Sequence, residues 1–370
     1  MRIHPRTRRK LRQTLTFGLI WLTFGVAYTL MEQGLLGDLT QYPSTKNVYS
    51  FKNAFLFAGL GSFFAGLLQG WIEVSWLKRR LMHRAFWVKT VLKSIFYLSF
   101  LILFLAAMSL LGNATLIEVG IFAPQNLETL RVFISSFVFW SIILYAGLII
   151  NVALFYSEMG EYLGSGVLYN YSLGKYHRPK QERRIFMFLD LKGSTTIAER
   201  IGHEKYFLFL KQYYADMTDA VLETAGEIYQ YVGDEIVVSW RQHDGIFNNN
   251  CIQCFEKIYA AIERKKEKYI AQFGIVPAFK AGYHIGEVTT GEIGIIKKDI
   301  IYTGDVLNTT ARIQAECNTY KAKALISGDL LHELQKENPI DFTKIGELTL
   351  RGKTEAIELF RVVFKTEVLS

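Results

Sequence analysis

Cysteine is scarce. Three in 370 residues cannot build a disulfide framework, so the water-soluble part reads as made for a reducing compartment. Proline is scarce as well, at six, and half of the residues are hydrophobic; with no internal repeat or low-complexity tract, this excludes disordered and fibrous chains. Charge is missing in blocks. The stretches 14–31, 53–72, 94–117 and 132–157 hold no Asp, Glu, Lys or Arg, and their lengths are 18, 20, 24 and 26 residues. A helix of roughly 20 residues crosses a hydrocarbon core about 30 Å thick, so each stretch reads as a membrane span in a lipid bilayer. The first is not read as a cleaved leader: it exceeds the usual ~7–15 apolar residues and ends at Met31-Glu32-Gln33 with no small-residue cleavage pattern. A chain of 370 residues also exceeds what one domain needs. The expected organisation is a four-helix transmembrane domain over 1–157, a connector over 158–182 and a soluble domain over 183–370.

What charge there is sets the orientation. Residues 1–13 carry Arg2, Arg6, Arg8, Arg9, Lys10 and Arg12 with no acid, and the loop between spans two and three carries Lys78, Arg79, Arg80, Arg84, Lys89 and Lys93 against Glu73. The other two loops are nearly neutral. Positive residues stay on the cytoplasmic side, so a multi-pass membrane protein is expected, with both termini and the soluble domain cytoplasmic. From Glu158 onward there are 27 basic and 29 acidic residues. The net charge of +8 is therefore a topology signal with some attraction to anionic lipid. No nucleic-acid partner is expected, since that calls for a basic soluble domain. The spans are expected to hold no buried charge and hence no ion path, Glu73 reads as an interfacial residue, and Gly59, Gly61 and Gly66 make span two a candidate dimer contact.

The connector has Gly160, Gly164, Gly166 and Gly174, which argue against one rigid helix, and Pro179 breaks it before the next strand. Ile185-Phe-Met-Phe-Leu-Asp190 reads as a buried strand, followed by a helical pattern to about 225. Strands over 227–232 and 235–240 flank a tight Gly233-Asp234 turn. A helix over 246–272, strands over 278–285 and 288–293, a strand over 300–303 and a helix carrying Asn308 and Arg312 come next. That order is a ferredoxin-like βαββαβ core, an α+β sheet with helices on one face.

Two acids stand out. Asp190 ends a strand, and Asp234 sits on a hairpin tip 44 residues later, which such a core places on neighbouring strands. Side by side they repel unless a cation bridges them, and Mg²⁺ favours one or two carboxylates plus substrate phosphates. The Gly193-Ser194-Thr195 turn opens a helix whose amides can hold anionic oxygens. On spacing alone the bland alternatives stand too: turn chemistry for Asp234, and a helix N-terminal charge for Asp190. Cys251-Ile-Gln-Cys254 has no second pair and reads as packed residues rather than a metal or redox site, and His284 as a packed or surface histidine.

The region of roughly 183–364 resembles the class III nucleotide cyclases. The residues that carry the resemblance are Phe188-Leu-Asp190-Leu-Lys-Gly193-Ser-Thr195, Val232-Gly-Asp234, Phe279-Lys280-Ala-Gly282-Tyr-His-Ile-Gly286, Thr303-Gly304-Asp305-Val-Leu-Asn308-Thr-Thr-Ala-Arg312 and Leu350-Arg351-Gly352-Lys353. The resemblance implies a homodimer with sites at the subunit interface. It implies an adenylate cyclase of the inner (plasma) membrane that makes cyclic AMP and pyrophosphate from ATP by in-line attack of the 3′-hydroxyl on the α-phosphate. Asp190 and Asp234, helped by the Leu191 carbonyl, would bind two Mg²⁺ or Mn²⁺ ions per site. Gly193, Ser194 and Thr195 would meet the phosphates. From the partner chain would come Lys280 for the base, Asn308 for the ribose and Arg312 for the α-phosphate, with Arg351 or Lys353 on the terminal phosphates. Ile301 stands where adenylate-specific relatives carry Asp or Thr. It offers the adenine no side-chain hydrogen bond, so backbone groups or Thr303 would have to take over. The other readings are a guanylate cyclase, or a non-catalytic membrane receptor with a degenerate cyclase domain and an unknown ligand or partner for its spans.

Overall fold

In the computed structural model the charge-free runs 14–31, 53–72 and 94–117 each lie within one helix, whereas the fourth, 132–157, breaks at Ser136 between two helices. The structure describes residues 4–41, 49–82, 84–117, 120–335, 340–349 and 356–364. It divides into two compact units, Thr7–Tyr169 and a second of Asn170–Ser370 with Met1–Arg6, so the division falls inside the stretch expected as connector.

The first unit contains α1 (Pro5–Leu36), α2 (Phe51–Ile72), a π-helical turn (Glu73–Leu77), α3 (Lys78–Leu81), α4 (Phe86–Ile117), α5 (Pro124–Ser135) and α6 (Phe137–Tyr162). Among the described residues four helices are long and apolar enough to cross a membrane: Pro5–Leu36, Phe51–Leu81, Phe86–Thr115 and Phe137–Tyr162. Outward-facing Phe64, Leu103 and Leu144 are largely exposed, as side chains meant for lipid would be. A Cβ on Gly66 would lie 2.6 Å from the Phe17 carbonyl oxygen and 2.8 Å from the Trp21 Cβ, so this glycine is what lets α2 approach α1. The dimer contact expected of span two therefore loses Gly66 to a contact inside the chain.

The expectation that the spans bury no charge is corrected. Glu73, Lys93 and Glu158 are all about 1% exposed or less, and Lys89 is 5% exposed. The Lys93 ammonium is held between Glu73 and Glu158, 2.5 Å from the latter, and Lys89 lies 2.7 Å from Glu158. Lys78 pairs with Glu161 at 2.7 Å, and the Tyr97 hydroxyl donates to Glu73 at 3.1 Å. The charge-free windows stop one residue short of Glu73, Lys93 and Glu158, but the helices run on and carry all three inward. Opposite charges offset the desolvation that would otherwise expel them.

In the second unit, α7 (Ser165–Ser172) leads to β1 (Lys180–Leu191), α8 (Ser194–Ile201), α9 (His203–Glu223), β2 (Glu227–Val232) and β3 (Glu235–Arg241). Then follow α10 (Gln242–Ile246), α11 (Asn250–Glu263), α12 (Lys266–Phe273), β4 (Phe279–Ile293), β5 (Asp299–Thr303) and α13 (Asp305–Thr319). The last elements are β6 (Ala324–Ser327), α14 (Gly328–Glu333), β7 (Asp341–Leu348) and β8 (Ile357–Val363). The sheet order is β2-β3-β1-β4-β6-β8-β7, with β5 paired to β4. Its first four strands are the expected ferredoxin-like core. Two expected strands around Gly286 are one continuous β4, and the helices expected over 194–225 and 246–272 each break in two.

Strand β1 alternates. Ile185, Met187, Leu189 and Leu191 face the large core with Phe209, Tyr213, Ile252 and Phe255, whereas Phe186 and Phe188 join Val288 and Val306 on the opposite face. Helix α13 covers part of that second face, which corrects the expectation of helices on one side alone. Glycine permits it: a Cβ on Gly282 would stand 2.3 Å from the Gln314 amide nitrogen.

Candidate active site

Strand pairing assembles the site. β1 runs between β3 and β4, so Asp190 is in register with Glu235 on one side and Lys280 on the other. Asp234 occupies the two-residue turn between β2 and β3, where Gly233 takes φ +62 and its carbonyl accepts the Tyr214 hydroxyl at 2.9 Å. Glycine is suited to that left-handed position. The two expected acids are thus brought to one end of adjacent strands. A third, Glu235, joins them. Nothing in its composition marked Glu235 in advance, but the register does.

The acids feel one another. Burial and the Asp234 charge push the Asp190 carboxyl up from its ordinary range, against the pull of Gln314 and Lys280. Burial and the Asp190 and Asp234 charges raise Glu235 to about 7. Asp190 Oδ2 accepts from Gln314 Nε2 at 3.0 Å and lies 3.3 Å from Lys280 Nζ, so one of its oxygens takes both protein partners.

A cleft of about 560 Å³ opens beside Asp190, lined by Leu191, Lys192, Gly193, Ser194, Thr195, Thr196, Lys280, Cys317, Asn318 and Lys321. Gly193 caps α8 at φ +69 without a side-chain acceptor. The first amides of α8 have no partners within the helix, which makes this end of the cleft suited to an anion. Three lysines, Lys192, Lys280 and Lys321, share the cleft with one aspartate. Lys192 and Lys321 were not picked out from the sequence, where scattered lysines look like ordinary surface.

Asn308, Arg312 and Ile301 are elsewhere, on α13 and β5, and none of them lines the cleft. Asn308 is exposed, and Arg312 keeps one enclosed guanidinium nitrogen, Nη1, with no hydrogen-bond partner among the described residues. One turn apart on α13, the two present the same stripe. Lys280 stands on β4, in register with Asp190 and with its Nζ 3.3 Å from Asp190 Oδ2. Arg351 and Lys353 lie outside the described residues. Cys251 and Cys254 are buried in α11 with thiols pushed up to about 12 by burial, and His284 Nδ1 sits 2.8 Å from Ser327 Oγ inside the domain.

Among the described residues no group of three or more His, Cys, Asp or Glu side chains could hold a metal ion. Asp190 and Asp234, with the Leu191 carbonyl nearby in sequence, instead fit a hard divalent cation that takes its remaining oxygens from phosphate and water. The raised Asp190 carboxyl, partly offset by an ammonium, is the condition such a cation would relieve.

The family model described as "Adenylate and Guanylate cyclase catalytic domain" matches residues 177–362. The chain is 35% identical over 217 residues to "Adenylate cyclase 2" of Rhizobium meliloti, covering 59% of this chain and 60% of the relative. It is 27% identical over 187 residues to an adenylate cyclase of Anabaena cylindrica, covering 49% of this chain and 36% of that one. The chain thus spans less than two thirds of these relatives. A bacterial light-regulated adenylyl cyclase shares the fold, with a TM-score of 0.52 at 19% identity over 62% of this chain and 66% of that one.

Proposed function

This chain belongs to the adenylate and guanylate cyclase catalytic-domain family, and from that premise we propose that it is a membrane-anchored adenylate cyclase working as a homodimer. One observation carries the reading. The cleft gathers Asp190, the α8 amide end, Lys280 and the C-terminal end of α13, while Asn308 and Arg312, nearer the start of that helix, do not line it. A single chain therefore holds two half-sites, and two copies face to face would complete two equivalent sites. The choice of ATP rests on the adenylate cyclases among the relatives.

In this mechanism the triphosphate lies along the cleft with its oxygens on the α8 amides and the Lys280 ammonium. Asp190 and Asp234 would hold two Mg²⁺ or Mn²⁺ ions; when bound, such ions neutralise phosphate charge and acidify the 3′-hydroxyl. Asn308 of the partner copy orients the ribose so that the 3′-oxygen lies in line with the α-phosphorus. The partner copy's Arg312, whose Nη1 has no protein acceptor, donates to the α-phosphate oxygens as charge builds on them. The 3′-oxygen forms its bond to phosphorus, the bond to the β-phosphate oxygen breaks, and the hydroxyl proton goes to water as pyrophosphate leaves. The basic segments 1–13 and 78–93 support a cytoplasmic side for this domain.

The test is turnover by membranes containing the full chain, with ATP and GTP in parallel under Mg²⁺ and Mn²⁺, beside Asp234→Asn. Cyclic AMP from the native protein and none from the variant is the expected result. Cyclic GTP alone would reassign the base, and no product with either nucleotide or metal would overturn the catalytic reading.

A further inference from the structure

Near the middle of β1, on the same face of the sheet as Asp190, lies an arginine that the chemistry above leaves without a role. Arg184 is 1% exposed, one of the largest fully buried side chains. Its guanidinium donates to the Tyr302 hydroxyl at 2.6 Å and to Glu182 at 3.2 Å, and it pairs with Glu227. It also lies over the Tyr302 ring, 4.8 Å from the centroid. Tyr302 is gripped further: its amide donates to the Tyr229 hydroxyl at 3.3 Å, and its ring packs on Phe186 and Tyr229.

What Arg184 holds is the base of the second half-site. Tyr302 follows Ile301 on β5, and β5 enters α13 directly through Gly304, whose Cβ would sit 2.9 Å from the Glu287 carbonyl oxygen. No slack separates strand from helix there. The underside of α13, through Val306, Leu307 and Ala311, packs in the same cluster as Tyr302. On its other side Arg184 meets the connector: Glu182 accepts from the Tyr176 hydroxyl at 2.9 Å, and the buried Tyr176 accepts the Glu292 amide through its carbonyl at 3.1 Å.

A methionine would fill much of the same volume without the cost of burying a cation. The guanidinium adds direction, a rigid fork aimed at one hydroxyl. We propose that Arg184 is a positioning residue for the half-site carried by β5 and α13, fixing where Ile301, Asn308 and Arg312 meet the nucleotide, with Tyr176 as its point of attachment to the connector. This rests on the cyclase reading above.

The experiment compares the native full chain with Arg184→Met, Arg184→Lys and Tyr302→Phe in membranes. Steady-state kinetics are read with ATP and GTP, and hydrogen exchange is read over 299–319. Arg184→Met and Tyr302→Phe are each expected to lower kcat/KM for ATP about tenfold or more, the scale of a small misplacement of reacting groups. The ATP-to-GTP preference should fall with it, because Ile301 moves with β5. Arg184→Lys keeps the charge but not the fork and should not rescue. The double variant should be no worse than either single one, since both break one path. Exchange over β5 and α13 should quicken while the rest of the sheet stays protected. Native kinetics in both Arg184→Met and Tyr302→Phe, an unchanged nucleotide preference, or full rescue by lysine would overturn the proposal. So would unchanged exchange over 299–319, and that result counts even if the native chain turns over neither nucleotide, an outcome that would instead sink the cyclase reading and the catalytic half of this one.

Discussion

Replacing Gly282 by alanine adds one methyl group and should abolish the proposed cyclase activity. The added Cβ would stand 2.3 Å from the Gln314 amide nitrogen and 2.6 Å from its Cα, both backbone atoms that no rotamer change can move. Ordinary contact begins near 3.4 Å, so α13 must retreat from β4 by about 1 Å. Overpacking of this kind costs about 1–3 kcal/mol, and in a domain of this size each kcal/mol lowers Tm by roughly 2–4 °C. The fold should therefore survive. Activity should not, because the same helix carries Asn308 and Arg312 and supplies Gln314 to Asp190 at 3.0 Å. A displacement of about 1 Å in groups that position a reaction costs on the order of 100-fold in rate. The assay is cyclic AMP formation by purified full-length protein, read beside a thermal melt. A Gly282→Ala protein that melts a few degrees lower yet turns over at the native rate would refute the link between α13 placement and catalysis. So would Gly286→Ala proving the more harmful, since its Cβ would meet only the Val306 side chain, at 3.1 Å.

Glu235 predicts a pH dependence. Its carboxyl is raised from an ordinary 4.5 to about 7 by burial first and by its acidic neighbours second. The folded state therefore holds its proton longer than the unfolded chain does, and the stability this contributes at low pH is lost as pH rises from about 4.5 through about 7. With chelator present, thermal melts should fall across that window, and Glu235→Gln should flatten the fall; an equal slope in both proteins would count against the three-acid cluster. In the helical unit, Lys93→Met leaves Glu73 and Glu158 buried beside each other and should cost about 3–5 kcal/mol. Adding Glu158→Gln and Glu73→Gln should restore much of it. Unchanged melting of Lys93→Met in detergent would show that these groups are not a buried charged cluster.

The sequence made four helices legible because apolar length is a local quantity, countable along the chain. It did not make their charges legible. Whether Glu73 points to water or inward depends on which neighbours surround the end of its helix, and Lys93 and Glu158 are 20 and 85 residues away in sequence. In the soluble domain, alternation in β1 and the Gly233-Asp234 turn announced strand and hairpin, and with them the meeting of Asp190 and Asp234. The third acid and the lysine beside them followed only from register.

Residue types and their local spacing determined by themselves the long apolar helices and an α+β domain, with two acids at strand ends, a glycine turn that opens a helix and an Asn–Arg pair one turn apart. Helical rise, strand alternation and turn preference all act over a few residues, so a sequence can state them. Tertiary structure alone decided that Lys280 stands beside Asp190, that Glu235 joins the two expected acids, that α13 lies on the far face of the sheet, and that Arg184 grips Tyr302. Each of these depends on pairing between segments far apart in the chain, where a shift of one residue would turn every side chain to the opposite face.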